Sequence, residues 1–196
     1  MAQNKLIERA VTDGGGILFT DEAAKRGISR EALRLATKCG SLERVGHGVY
    51  IAAGTLPDEC FILQRKYNKA VFSHETAAYF LGYTTRDPLR YTMTVPSRYN
   101  STSLIRAGVK LYYTEKIDNA DFEEATTPFG HKIVCFNIEK TICDLCSPRF
   151  DGDKDVAVEV IKEYARSGKK DIARLMSYAT TNKVEQAVRG YMEVLL

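Results

Sequence analysis

The sequence predicts an α+β protein, with an α/β arrangement of its second part left open. An N-terminal winged helix-turn-helix is followed by a larger mixed α/β domain that ends in a helical region. Three observations carry this. Residues 15–51, GGILFTDEAAKRGISREALRLATKCGSLERVGHGVYI, run through two short helical patterns, a Gly-containing turn and a Gly-rich hairpin. Residues 91–136 hold several alternating, β-branched stretches. Residues 156–195 are helical in pattern, broken only at Ser167-Gly168 and Thr181-Asn182.

The first residues, MAQNKLIERAVTDGG, form an amphipathic helical pattern with charges at Lys5, Glu8 and Arg9. Thr20 is placed to cap a helix over Asp21–Arg26, and Asp21 and Glu22 sit in its first turn, where the helix dipole favours acids. Gly27 ends that helix and Ile28 plugs the turn. Ser29 caps a second helix from Arg30 to about Cys39, with Gly40 just beyond. At helical spacing Ala32, Leu35, Ala36 and Cys39 share an apolar back, and Arg30, Arg34, Thr37 and Lys38 share a basic front. That front suits a recognition helix, with Arg30 and Arg34 for guanine edges and Lys38 for phosphate. The plain alternative is a surface helix with solvated charges. Leu42–Val45 and Val49–Ile51 read as the strands of a wing, joined through Gly46-His47-Gly48, two glycines around a tight tip. Arg44 and His47 project from it towards a minor groove or phosphates.

Residues 53–57 read as a linker, interrupted by Pro57, between a domain over residues 1–52 and one over 58–196. In the second domain the pattern predicts a helix from Asp58 to about Asn68, then a helix from His74 to Phe80, capped by Ser73 and closed by Gly82. About four strands follow, at Tyr91–Val95, Val109–Thr114, Phe122–Thr127 and Lys132–Phe136, the last two forming a hairpin through Pro128-Phe129-Gly130-His131. A short helix covers Ile138–Cys146. The terminal helices are expected at Val156–Arg166, Asp171–Ala179 and Val184–Leu195.

Composition places the chain among ordinary folded domains: of 196 residues, 44% are hydrophobic and 27% charged. No apolar run approaches the roughly 20 residues of a membrane span, and the N-terminus lacks the apolar centre of a signal peptide. Five irregularly spaced cysteines argue for reduced thiols and a cytoplasmic location. The net charge of +3 is unevenly spread. Residues 60–110 carry 8 basic and 2 acidic side chains, or +6, whereas residues 111–146 carry 3 basic and 7 acidic, or −4. Lys66, Lys69, Arg86, Arg90 and Arg98 are the candidates in the basic block for further phosphate contacts. The alternative is a surface whose charges balance in three dimensions.

Enzymatic motifs are weak. Cys143 and Cys146 have C-x-x-C spacing, but no second ligand pair exists for zinc, and both fall late in an apolar helix, as buried structural cysteines do. Ser73, His74 and Glu75 are suitable types for hydrolysis, yet neighbours on a helix point apart, so capping is the better reading. Asp151-Gly-Asp153-Lys-Asp155 opens like a calcium loop but lacks the Gly position and the closing Glu. There is no phosphate-binding Gly-rich motif. Neither catalytic residues nor a metal or cofactor site is expected.

TDEAAKRGISREALRLATKCGSLERVGHGVYIA, then FSHETAAYFLG, then YTMTVPSRY resemble the AbiEi antitoxins of bacterial type IV toxin–antitoxin systems, over nearly the whole chain. The strongest parts are the L-x-R-V-G-x-G-V-Y wing from Leu42 to Tyr50 and the helix from Ser73 to Gly82. The stretch from Thr127 to Leu145 also fits. The resemblance implies a winged helix-turn-helix with a larger C-terminal antitoxin domain, and autorepression through inverted repeats at the protein's own promoter. It also implies action against a nucleotidyltransferase-type toxin without a stable complex. The residues themselves support only the DNA-binding half. With Ser29, Arg30, Arg34, Thr37, Lys38, Arg44 and His47 as the leading contacts, cooperative binding to duplex promoter DNA is expected. Two other classes stay open: a winged-helix regulator whose second domain senses a small ligand, and an enzyme such as a nuclease brought to DNA by the winged helix.

Overall fold

A computed structural model describes residues 2–195. Packing divides the chain into two units, one of residues 1–63 with 127–131 and one of residues 64–126 with 132–196. The first division falls inside a helix rather than in the expected linker at 53–57.

The first unit begins with α1 (Ala2–Asp13), β1 (Ile17–Phe19), α2 (Thr20–Lys25) and α3 (Arg30–Lys38), followed by β2 (Leu42–Gly46) and β3 (Val49–Ala52). Ile7, Ala10 and Val11 of α1 pack with Leu18, Ala23, Ile28, Leu33, Ala36 and Leu42 into one core. The turn between α2 and α3 uses Gly27 in the left-handed region (φ 76°), which a Cβ would disfavour. Ile28, 3% exposed, is the expected plug. Ser29 caps α3 by accepting from the Ala32 N–H at 3.1 Å. The sheet order is β1-β3-β2, all antiparallel. β1 was not predicted, because three apolar residues before a helix carry no alternation to read. Thr20 is also displaced from its expected role: Phe19 holds the N-cap position of α2 without a side-chain bond, and the Thr20 N–H bonds the Gly48 carbonyl at 2.9 Å. Only Gly48 of the two wing glycines needs its positive φ (71°).

Asp58 organises the end of this unit. It is 2% exposed, and its Oδ1 accepts from the Phe61 N–H at 3.1 Å, capping α4 (Glu59–Lys66). Its Oδ2 accepts from Thr127 Oγ1 at 2.5 Å and from His131 Nδ1 at 2.8 Å. The His131 ring stacks on Phe61 (centroids 4.4 Å apart), and its Nε2 lies 3.3 Å from the Gly14 carbonyl. A Cβ at Gly15 would come within 2.5 Å of that nitrogen, so the glycine is what lets the ring approach. The turn at 127–131, expected only to close a hairpin, thus joins the first unit.

The second unit is built on a five-stranded mixed sheet of order β6-β5-β4-β8-β7. Its strands are β4 (Val71–Phe72), β5 (Thr92–Pro96), β6 (Lys110–Thr114), β7 (Phe122–Thr126) and β8 (Lys132–Phe136). β5–β6 and β4–β8 are parallel, and β4–β5 and β7–β8 antiparallel. β4 and the short α6 (Thr102–Arg106) went unpredicted, two and five residues being too short for a period to show. Helices α5 (His74–Phe80), α7 (Ile138–Leu145), α8 (Lys154–Arg166), α9 (Ile172–Thr181) and α10 (Glu185–Leu195) complete the unit. Ile142, Val160, Ile161, Tyr164, Leu175 and Val188 form its helical core. Asn137, Asp153 and Asp171 cap α7, α8 and α9 through their side chains. A mixed sheet with a trailing helical layer is an α+β architecture, as expected.

Replacing Asp58 with Ala strands three donors at once. Unfolding free energy is expected to fall by about 3 kcal/mol, read from urea denaturation of the full chain. An unchanged midpoint would show that the cluster only fills space.

Candidate nucleic-acid interface

The rotation of α3 about its axis decides what it presents. Ala32, Leu33 and Ala36 are the buried positions, so the outward face holds Arg30, Glu31, Arg34, Leu35 and Lys38. This corrects the predicted apolar back. Leu35 is 47% exposed and Cys39 is exposed, while Leu33, 1% exposed, carries the packing. Ala32, Leu33 and Ala36 stand at i, i+1 and i+4, as acceptable a helical stripe as the one predicted. The tie is broken by the elements that pack on α3, α1 and β2. Thr37 is half-buried and its hydroxyl donates to the Leu33 carbonyl at 2.9 Å, so in this state it faces its own helix. Ser29 is engaged as the cap. Arg30 and Lys38 are exposed and form no ion pair among the described residues.

Arg34 is not free. Its Nε donates to Glu31 Oε2 at 2.9 Å and its Nη2 to Glu31 Oε1 at 2.6 Å. The hydrogen-bonded guanidinium holds the Glu31 carboxyl below the usual carboxylate range. In return, the carboxylate raises Arg34 above the ordinary arginine value. Sequence reading missed Glu31 as part of this face; its i, i+3 spacing to Arg34 was the available signal.

The wing carries a bulge that sequence did not reveal. Arg44 pairs with Tyr50 and Gly46 with Val49, leaving Val45 as the extra residue of β2. Arg44 and Val45 are consequently both exposed instead of alternating. Arg44 Nε donates to the Gly46 carbonyl at 3.2 Å, and His47 is exposed at the tip.

In the second unit the basic block is only partly available. Arg86 pairs with Asp153 at 3.1 Å and Glu159 at 3.0 Å, and Lys110 pairs with Asp151 at 2.8 Å. Acids distant in sequence therefore balance two of its cations, a pairing that local charge counting does not see. Lys66, Lys69, Arg90 and Arg98 are exposed with no ion pair among the described residues. Lys66 Nζ lies 5.9 Å from the Tyr67 ring centre. A cavity of about 360 Å³ is lined by Glu75, Arg86, Arg90, Lys110, Asp153 and Val156, among others.

Ser73, His74 and Glu75 do not form a catalytic set. Ser73 holds the N-cap position of α5 but makes no capping bond, contrary to expectation. Its hydroxyl accepts from Thr94 Oγ1 at 2.9 Å and meets His74 Nδ1 at 3.0 Å. His74 adopts φ 52°, which turns the chain away from capping geometry and costs backbone strain. Its ring is buried and stacked on Tyr112, with centroids 3.7 Å apart. Glu75 Oε1 instead accepts from the Asp153 N–H at 3.2 Å. Burial, reinforced by Lys140 and Lys110, depresses His74 to about 3. Burial raises Cys143 to about 12 and Cys146 to about 11, so both stay protonated thiols and poor nucleophiles or ligands at neutral pH. Among the described residues no group of three or more His, Cys, Asp or Glu side chains is arranged to hold a metal.

His74 makes a signed pH prediction. Its folded value of about 3 lies below the unfolded value of 6.5. The unfolded chain therefore takes up the proton first, and the stability His74 contributes is full above pH 6.5 and lost as pH falls. The slope steepens below pH 6.5 and approaches about 1.4 kcal/mol per pH unit near pH 5. His74→Asn, which tolerates the backbone but does not titrate, flattens that part of the curve. Equal slopes for the two proteins contradict the assignment.

Residues 5–53 match the family model described as transcriptional regulator, AbiEi antitoxin. No curated protein matches the chain in sequence. Among solved structures, the crystal structure of the RV2827C protein from Mycobacterium tuberculosis superposes with a TM-score of 0.66 at 15% identity, covering 96% of this chain and 76% of that one. At that identity the likeness concerns the fold alone. The residues matched by that family model run from α1 to the end of the wing, so the similarity lies in the winged helix-turn-helix.

Proposed function

We propose that this protein is a cytoplasmic, non-enzymatic DNA-binding autorepressor and the antitoxin of a type IV toxin–antitoxin system. It binds inverted repeats at its own promoter cooperatively and counters a nucleotidyltransferase-type toxin without a stable complex. The observation that carries the reading is α3, which turns Arg30, Arg34 and Lys38 outward beside a wing bearing Arg44 and His47. In a major groove such a helix reads base edges while the wing and the exposed Lys66, Lys69, Arg90 and Arg98 meet phosphates. Ser29, Thr37 and Arg86 already satisfy internal bonds. They join the contact set only by exchanging those bonds. The antitoxin half rests on the family match, not on a site geometry. Among the described residues no helix is long and apolar enough to cross a membrane.

A ligand-sensing role for the second unit is the other reading, favoured by the charged cavity at Arg90 and Lys110. It alone predicts that a small ligand bound in that cavity changes promoter affinity.

Binding to promoter DNA is expected to fall steeply with salt, and Arg34→Ala to cost about 1–3 kcal/mol of it. Equal affinity of the wild type for promoter and random duplex at moderate salt removes the repressor reading. Reversing the charge of both Arg90 and Arg98 should lower the salt slope by roughly 1 per lost phosphate contact. The antitoxin half has its own test. Full-length protein with Arg30 and Arg34 both replaced by Ala, co-expressed with the toxin from an unrelated promoter, is expected to rescue growth. Failure, with the variant folded, ties neutralisation to DNA binding.

A further inference from the structure

We propose that Glu31 positions Arg34 to read a guanine, and that Leu35 reads the methyl group of an adjacent thymine. The proposal rests on the DNA-binding reading of α3 and deepens it to a base preference.

The geometry starts from the two edges of a guanidinium. Glu31 occupies the edge formed by Nε and Nη2, in a two-bond fork at 2.9 and 2.6 Å. Left open is the terminal edge, with N–H donors on Nη1 and Nη2. That edge matches the O6 and N7 acceptors of guanine in a major groove. An unrestrained arginine has four side-chain torsions to fix on binding, at an entropic cost. The carboxylate one turn back fixes the plane of the fork before DNA arrives. Both side chains are exposed, 62% for Arg34 and 61% for Glu31. An ion pair so exposed adds little to stability, so its consequence lies in orientation.

Leu35 follows on the same face. It stands four residues after Glu31 and three before Lys38, so its neighbours along the helix surface are the other outward residues. Ala32, Leu33 and Ala36 already fill the inward face, and Leu35 remains 47% exposed. On a helix laid in a major groove, an apolar side chain among donors and acceptors has one matching feature, the thymine C5-methyl.

The carboxylate gives the proposal a signature of opposite signs. Glu31 repels phosphates, so its removal strengthens binding to any duplex. If it also orients Arg34, its removal weakens the choice of guanine. A Glu31 that does not orient Arg34 raises affinity for every duplex alike on removal and leaves the guanine preference unmoved.

The test uses full-length protein. A preferred duplex is selected from a randomised pool with the wild type. Affinities are then measured for that duplex, for versions with the guanine replaced by adenine or the thymine by uracil, and for an unrelated duplex. The wild type is expected to discriminate guanine from adenine by about 5- to 150-fold, the range of one good bidentate contact. Glu31→Gln should shrink that ratio at least severalfold while gaining affinity for the unrelated duplex. Glu31→Asp keeps the charge but is one methylene too short for the fork. It should shrink the ratio without that gain, and stands in should the Gln variant melt early. Uracil should weaken the wild type severalfold and leave Leu35→Ala unaffected. A guanine preference retained in both Glu31 variants overturns the positioning role. Equal uracil effects on the wild type and Leu35→Ala overturn the methyl contact. If the wild type selects no sequence at all, the repressor reading itself fails, a different result from either.

Discussion

The narrow buried stripe of α3 is the constraint on which the first unit depends. Leu33 is nearly inaccessible, and with Ala32 and Ala36 it packs among residues of α1, β1 and β2. Two of those three residues are alanines, which bring the helix close to its neighbours and leave it one rotational setting. That setting decides which side chains point outward. A rotation by one residue would turn Arg34 towards the core, where an unpaired guanidinium is prohibitively costly. Burial of a small apolar stripe and display of a basic face are therefore one event, and the Ser29 cap and the Gly27 turn fix where it begins.

Much of this was legible in the sequence, and the exceptions have particular causes. Caps and glycines marked the ends of α2 and α3, because those signals are local. The rotation of α3 was misread, with Leu35 turned inward in place of Leu33, because two stripes at helical spacing competed and the arbiters, α1 and β2, lie outside the helix. β1 and β4 were missed because strands of three and two residues exist only through their partners. The Val45 bulge was missed for the same reason. In the second unit, strand and helix positions were mostly recoverable, whereas ion pairs such as Arg86 with Glu159 were not. A block of like charge says nothing about which distant acid folds onto it.

The second unit carries buried polar chemistry put to structural use. Tyr164 donates to the buried Glu139 at 3.1 Å and accepts from the Asp171 N–H at 2.8 Å, tying α7 to the start of α9. The half-buried Gln64 amide bonds both backbone groups of Val134, at 2.6 and 2.7 Å. Ser73, Thr94 and His74 satisfy one another beneath Tyr112. These groups have hydrogen-bond partners within the fold, and the depressed His74 and raised Cys143 and Cys146 follow from burial rather than from an arrangement of nucleophile and base. Residues that resemble catalytic motifs in a linear reading act here as fastenings.

The central claim is that α3 enters a DNA groove, and Cys39 offers direct access to it. This exposed thiol closes α3, while Cys60, Cys135 and Cys143 are buried and Cys146 is half-buried with a raised thiol value. An iron chelate attached at Cys39 of the full-length protein generates short-lived radicals that cut DNA only within reach of the helix end. The account predicts a few discrete cuts at symmetric positions within the inverted repeats of the promoter, abolished by replacing Arg30 and Arg34 with Ala. Uniform weak cleavage along the promoter, or discrete cuts that survive the double replacement, would contradict it.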